Sequence, residues 1–256
     1  MGRIFFAQNF KYYYMAEMKD QDKLKMLLTC IDLTSLEATD NEESILNLVR
    51  KANEGFEGTH VAAVCVFPNF GDLVRKTLVH SINTAVVAGY FPSGQTFTET
   101  KINELKLIEQ STIEEVDIVI HRGEFLTGNF DFVKNEIQLM RNAVPSKILK
   151  VILETGELKT SDNIIKASEI AIECGADFIK TSTGKGAAGA DAAAVEIMCS
   201  VISNHYKLTG KKIGIKPSGG IREIDDALKY MDLVHKILGD EWMTNKLFRI
   251  GASSLY

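Results

Sequence analysis

Apolar and polar positions alternate along this chain in two rhythms: short β-rich runs, and longer segments with helical spacing. From Met26 onward, the first rhythm predicts strands over 26–34, 60–67, 83–90, 115–121, 148–155, 176–183, 212–218 and 248–253. The second predicts helices near 41–54, 69–80, 98–111, 130–143, 160–174, 191–206 and 222–238. Asp40 with Glu43, and Thr160 with Asp162, read as caps or first-turn acids. Strands that alternate with helices pair in parallel, because each crossover needs a helix. Eight such units predict closure as an α/β fold, the (β/α)8 TIM barrel, whose usual size is about 250 residues. No Pro/Gly/Ser linker or shift in composition divides the chain, so residues 26–256 read as one domain behind an N-terminal extension, residues 1–25. Only Ser254-Leu255-Tyr256 follow the eighth strand, which leaves the eighth outer helix truncated or missing. Segment 12–25 is the candidate to cover that flank.

The totals narrow the function classes. The chain has 256 residues, 45% hydrophobic and 25% charged, enough for a sizeable core. A net charge of −5 without a basic run argues against nucleic acid or an anionic membrane as partner. No apolar stretch approaches the length of a bilayer span. Phe5, Phe6, Phe10 and Tyr12-Tyr13-Tyr14 lie near the start, with no sustained apolar core or small-residue cleavage site. That reads against a secretory signal, and Met15 or Met18 can equally be the native start. Cys30, Cys65, Cys174 and Cys199 lack C-x-x-C spacing, as free thiols of a cytoplasmic protein do. The five histidines show no ligand spacing, so no metal is expected.

The chemistry is carried by charges inside strands. In such barrels it sits at the carboxyl ends of the strands. Asp32 lies in Cys-Ile-Asp-Leu-Thr of the first, Cys65 in Val-Cys-Val-Phe-Pro of the second and Asp117 in Glu-Val-Asp-Ile-Val of the fourth. Lys180 belongs to the sixth, in Ala176-Asp-Phe-Ile-Lys, and Lys216 to the seventh. Buried charges are costly unless paired, so Asp117, Lys180 and Lys216 are expected to meet. Desolvation and a neighbouring Lys216 ammonium would depress the pKa of Lys180 and leave a nucleophilic amine. Asp117 could then pass protons, with water as relay. The plain alternative is an ion-pair network that only fixes barrel packing. Cys65 reads as a small residue lining the site, since no histidine is placed to activate it.

Glycine-bearing segments follow the last three strands: Thr183-Gly184-Lys185, Gly219-Gly220-Ile221-Arg222 and Gly251-Ala252-Ser253-Ser254. Loops after the last strands and a short helix N-terminus commonly bind phosphate in these barrels, so a phosphorylated substrate is expected. Gly184-Lys-Gly-Ala-Ala-Gly189 also matches the dinucleotide fingerprint G-x-G-x-x-G. The next strand, however, ends in Lys216-Pro217 with no acid to hold a ribose hydroxyl, and the motif comes sixth among the βα units. A Walker A loop fails as well, because Ile179 occupies its first glycine position and Gly186 its Ser/Thr.

At these residues the sequence closely resembles the deoxyribose-phosphate aldolases, which are class I aldolases. The segments that carry the resemblance are Ile31–Thr34, Ala62–Pro68, Glu115–Val119, Leu149–Leu158, Gly175–Lys185, Ile215–Arg222 and Arg249–Ser254. They reach from about residue 26 to the end, and KTSTGK and KPSGG are the most specific. The resemblance implies reversible cleavage of 2-deoxy-D-ribose 5-phosphate to acetaldehyde and D-glyceraldehyde 3-phosphate, in nucleoside catabolism. It implies a Schiff base on Lys180, with Asp117 and Lys216 as the proton-handling pair. Gly184, Lys185, Gly219, Gly220, Ser253 and Ser254 match positions around the phosphate, and Thr183, Asp32 and Cys65 complete the expected substrate site. No metal or organic cofactor is implied, because the lysine supplies the electron sink. The chain departs from the family in ending soon after Ser254 and in the stretch Gly186–Ala190. Another Schiff-base phospho-sugar aldolase or transaldolase, or a non-catalytic sugar-phosphate binder, stays open, as does homo-oligomerisation to a dimer.

Overall fold

Alternation along each strand sorts the buried side chains into two populations. The structure, a computed structural model, describes residues 20–186 and 188–253. Ser254, Tyr256 and most of the expected extension over 1–25 lie outside the described residues. Eight parallel strands follow one another in space: β1 (Ile31–Thr34), β2 (Ala63–Val66), β3 (Asn83–Ala88), β4 (Glu115–Val119), β5 (Ile148–Ile152), β6 (Phe178–Lys180), β7 (Gly214–Lys216) and β8 (Ile250–Ala252). β8 pairs with β1, with Asp32 opposite Gly251. Between β7 and β8 the ring closes through single bridges, Ile215 to Phe248 and Ser218 to Gly251. Pro217, which has no N–H, sits at this seam. The expected TIM barrel is the observed one.

Outward-facing strand residues such as Val64, Val66, Val86, Val116, Ile118, Leu149, Val151, Ile179 and Ile215 join the helices in one apolar core. Each such side chain, fully buried, contributes about 1.5–3 kcal/mol. The helices are α1 (Asp20–Leu28), α2 (Glu42–Glu54), α3 (Gly71–Thr77), α4 (Thr98–Glu109), α5 (Arg122–Leu126), α6 (Phe130–Ala143), α7 (Ser161–Glu173), α8 (Ala192–Thr209) and α9 (Ile224–Leu238). α8 starts at its cap Asp191, whose carboxylate accepts from the Ala194 amide, and Thr160 caps α7 in the same way through Asn163.

Three expectations are corrected. Residues 26–28 end α1 instead of opening β1; a short apolar run has no period to tell helix from strand, and Leu27 and Leu28 are buried from the helix. α1 packs against α9, so the last residues of segment 12–25 do meet the outer helical layer. Asn41, not Asp40, caps α2, exchanging bonds with Ser44. Asp40 instead ties the preceding turn, accepting from the Ser35 hydroxyl and the Glu37 amide at 2.9 Å each. α5, whose cap is the His121 ring, was not anticipated from periodicity, being a single short turn.

Candidate active site

The inward population differs around the barrel. On β2 and β3 it is Ala63, Cys65, Ala85 and Val87, which form a small second apolar cluster with Leu36, backed by Phe67 and Phe91. On β1, β4, β5, β6 and β7 it includes charged side chains. Register places Asp117 of β4 beside Lys150 of β5, and Lys180 of β6 beside Lys216 of β7. Neighbours in register point to the same face, so these four side chains converge inside the barrel.

The contacts form one network. Asp117 Oδ2 accepts from Lys180 Nζ at 2.8 Å and from Lys216 Nζ at 2.7 Å, while its Oδ1 accepts from Lys150 Nζ at 2.8 Å. Lys216 also reaches Asp32 Oδ2 at 2.5 Å. Lys150 meets Glu115 at 2.5 Å and Asp32 at 3.4 Å. Arg249, just before β8, bridges Asp32 at 2.5 Å and Glu115 at 2.7 Å. All seven groups are buried.

Three carboxylates therefore face four cationic groups. Burial would suppress ionisation of every one, but the carboxyls of Asp32, Glu115 and Asp117 are held below the usual carboxylate range by Lys150, Lys216, Arg249 and, for Asp117, Lys180. Lys150 and Lys216 keep their charge against burial through the surrounding carboxylates, and their pKa values are raised. Lys180 is pushed the other way. Burial lowers its pKa most; Asp117 opposes that, and the Lys216 ammonium adds to it. Lys180 is thus the network's one cation whose pKa falls, and loss of its proton would leave three carboxylates facing three cations. Lys216 contributes as expected, but dry surroundings contribute more.

Lys180 also borders open space. A cavity of about 220 Å³ at the carboxyl end of the barrel is lined by Lys180, Thr183, Gly184, Lys185, Gly219, Gly220 and Ser253, together with Thr34, Glu37 and Arg222. Asp117, Asp32, Cys65 and Lys216 lie beneath it, within the barrel and without exposed surface. The Cys65 thiol, raised chiefly by burial, is unsuited to nucleophilic work there.

The loops around the cavity are stapled together. Thr181 Oγ1 donates to the Ser218 carbonyl and accepts from its amide, and the Ser218 hydroxyl donates to the Ser182 carbonyl at 2.6 Å. Gly219 and Gly220 both turn at positive φ, +86° and +76°, where a side chain would be strained. Gly251 has a steric reason: a Cβ there would stand 2.7 Å from Ser218 Cβ and 3.2 Å from Lys216 Cε. Glu154 accepts from the Thr183 hydroxyl at 2.5 Å and is itself anchored by Arg122 at 3.0 Å. Such glycine turns beside Lys185 and Arg222 suit an anion.

Sequence reasoning singled out Lys180, Asp117, Lys216 and Asp32 but missed Lys150, Glu115 and Arg249 as members of the network, and Glu154 and Arg122 as its loop anchors. A signal existed for one of them. Glu115 and Asp117 stand two apart on one strand, so they face the same way.

The family model for DeoC/LacD family aldolases matches residues 26–254. The deoxyribose-phosphate aldolase of Homo sapiens is 42% identical over 243 residues, covering 89% of this chain and 76% of its own. Among solved structures, QR15, described as an aldolase, superposes with a TM-score of 0.75 at 31% identity, covering 89% of this chain and 91% of that one. The deoxyribose phosphate aldolase of Aeropyrum pernix, described as a unique tetramer, gives 0.67 at 27%, covering 93% and 95%.

Proposed function

This chain belongs to the DeoC/LacD aldolase family, and from that premise we propose that it cleaves 2-deoxy-D-ribose 5-phosphate reversibly to acetaldehyde and D-glyceraldehyde 3-phosphate through a Schiff base on Lys180. The observation that carries the reading is that Lys180 alone, among the network's cations, combines a lowered pKa with a place on the cavity wall.

The neutral amine attacks the C1 aldehyde, and loss of water leaves an iminium. Products of two and three carbons fix the scissile bond as C2–C3. As the C3 hydroxyl gives up its proton, the C2–C3 electron pair flows into the iminium to give an enamine, and C3 leaves as the aldehyde of the triose phosphate. Protonation of the enamine at C2 and addition of water release acetaldehyde and restore the amine. The iminium returns the fourth positive charge to the network, beside Asp117, which stabilises it. Asp117 is a weak base while the Lys150 and Lys216 ammonium groups hold it, so we assign proton traffic to the Lys216–Asp117 hydrogen bond acting with water at the cavity floor. Thr183, Gly184, Lys185, Gly219, Gly220, Ser253 and Ser254 are assigned to the phosphate end, with Asp32 and Cys65 beneath the sugar. No metal or organic cofactor has a part in this sequence of steps.

We place the enzyme in the cytoplasm as a homo-oligomer, at least a dimer, binding neither nucleic acid nor membrane. Four buried free cysteines suit a reducing compartment, and among the described residues no helix is long and apolar enough to cross a membrane. Borohydride added with the sugar phosphate tests the chemistry by reducing the imine to a stable secondary amine. A mass map placing the adduct on Lys180 is expected; an adduct on Lys216 or Lys150 would overturn the assignment.

A further inference from the structure

The cavity expected to receive a phosphate already contains an anion. Glu37, in the turn between β1 and α2, reaches Lys185 Nζ at 2.9 Å across a separation of 148 residues. Among the described residues lining the cavity it is the one carboxylate. Its backbone is fixed by Asp40, whose carboxylate accepts from the Glu37 amide and whose own amide donates to the Glu37 carbonyl at 3.0 Å. Ser35 and Ser44 donate to the same Asp40 carboxylate, at 2.9 and 3.3 Å, so the turn is braced from both sides. The Glu37 side chain stays 69% exposed and the Lys185 side chain 30% exposed, so the pair is held by geometry and not by burial.

We propose that Glu37 is a resident counter-anion for Lys185, which the substrate's phosphate must displace, and that it thereby sets the affinity of the site for phosphorylated sugars. The inference rests on the phosphate reading of this cavity. A dianionic phosphate gains more from Lys185 and Arg222 than one carboxylate does, so it wins the exchange. A singly charged carboxylate or a neutral sugar offers no such advantage and leaves the Glu37–Lys185 pair in place. Glu37 consequently weakens the binding of any anion that must take its place at Lys185, while a neutral sugar is untouched by the exchange. Exposed ion pairs are weak, which keeps the exchange readily reversible.

Two variants separate the inference from its foundation. Inorganic phosphate, measured as a competitive inhibitor, and the ratio of kcat/KM for 2-deoxyribose 5-phosphate over 2-deoxyribose are determined for wild type, Glu37→Gln and Lys185→Met. Glu37→Gln is expected to tighten phosphate binding and raise that ratio about two- to five-fold, the strength of one exposed ion pair. Unchanged or weaker phosphate binding in Glu37→Gln would overturn the proposal, since it would make Glu37 a bystander or a positioner of Lys185. Lys185→Met is expected to weaken phosphate binding. If it does not, the phosphate reading itself fails, whatever Glu37→Gln does.

Discussion

The two sides of the barrel's inner surface solve the same packing problem by opposite means. Toward β2 and β3 the interior is filled by Ala63, Cys65, Ala85 and Val87, small groups that need no partners. Toward the other strands it is filled by Asp32, Glu115, Asp117, Lys150, Lys180, Lys216 and Arg249, each meaningful only through its neighbours. Deleting a methyl group on the first side changes a volume. Deleting a charge on the second changes the state of every other charge. The difference teaches why the proposed nucleophile belongs to the second side. A lysine alone among alanines would lose its proton but would have nothing to stabilise the iminium, whereas here one network does both.

The sharpest way to break the contrast is Lys180→Met. The carboxylates still balance the remaining cations, so the fold is expected to survive while cleavage of the sugar phosphate falls by at least about four orders of magnitude. Wild-type turnover in that variant would reduce the network to packing. Asp117→Asn is expected to act on both activity and fold. It takes from Lys180 its carboxylate partner and from Lys150 and Lys216 one partner each, leaving those two on Glu115 and Asp32, and a broken buried pair typically costs about 3–5 kcal/mol, read as a shift of the denaturation midpoint. Phe91→Ala or Val87→Ala, on the apolar side, should cost about 1–3 kcal/mol, with no change in the pH dependence of cleavage.

Two pH experiments sharpen the comparison further. The depressed carboxyls contribute stability that is fully present above their unfolded values, near about pH 4, and that is lost as pH falls through their lower folded values. The melting temperature should therefore hold from neutrality down to about pH 4 and decline below it. For Lys150→Met, charge balance predicts a shift in activity. With one permanent cation gone, the carboxylates retain the proton on Lys180, and the acid limb of the kcat/KM profile should move to higher pH. A limb that stays put would show that Lys150 does not share its charge with the amine.

Much of this arrangement was legible in the sequence, and the reasons for the rest are physical. The strands announced themselves through β-branched runs, and Lys180 and Lys216 stood out as charges at strand ends. Lys150 did not, because a lysine between Leu149 and Val151 looks like one that extends its amine to solvent; only the register with Asp117 turns it inward. Arg249 fell within the predicted strand 248–253, and only the fold brings Asp32 and Glu115 within reach of its guanidinium. Glu37 left no sequence signal at all, since its partner is remote in the chain and the contact exists only because Asp40 bends the turn.

The seam between β7 and β8 has a further consequence. Backbone bonds cross it from Arg249 to the Ile215 carbonyl and from Gly251 to the Pro217 carbonyl, and the segments beyond it, Ser218–Gly220 and Gly251–Ser253, border the same cavity. A phosphate gripped from both banks would add one more tie across this seam by its own occupancy. Amide hydrogens along these two strands should then exchange more slowly in the presence of substrate, while those of β2 and β3 keep their rate.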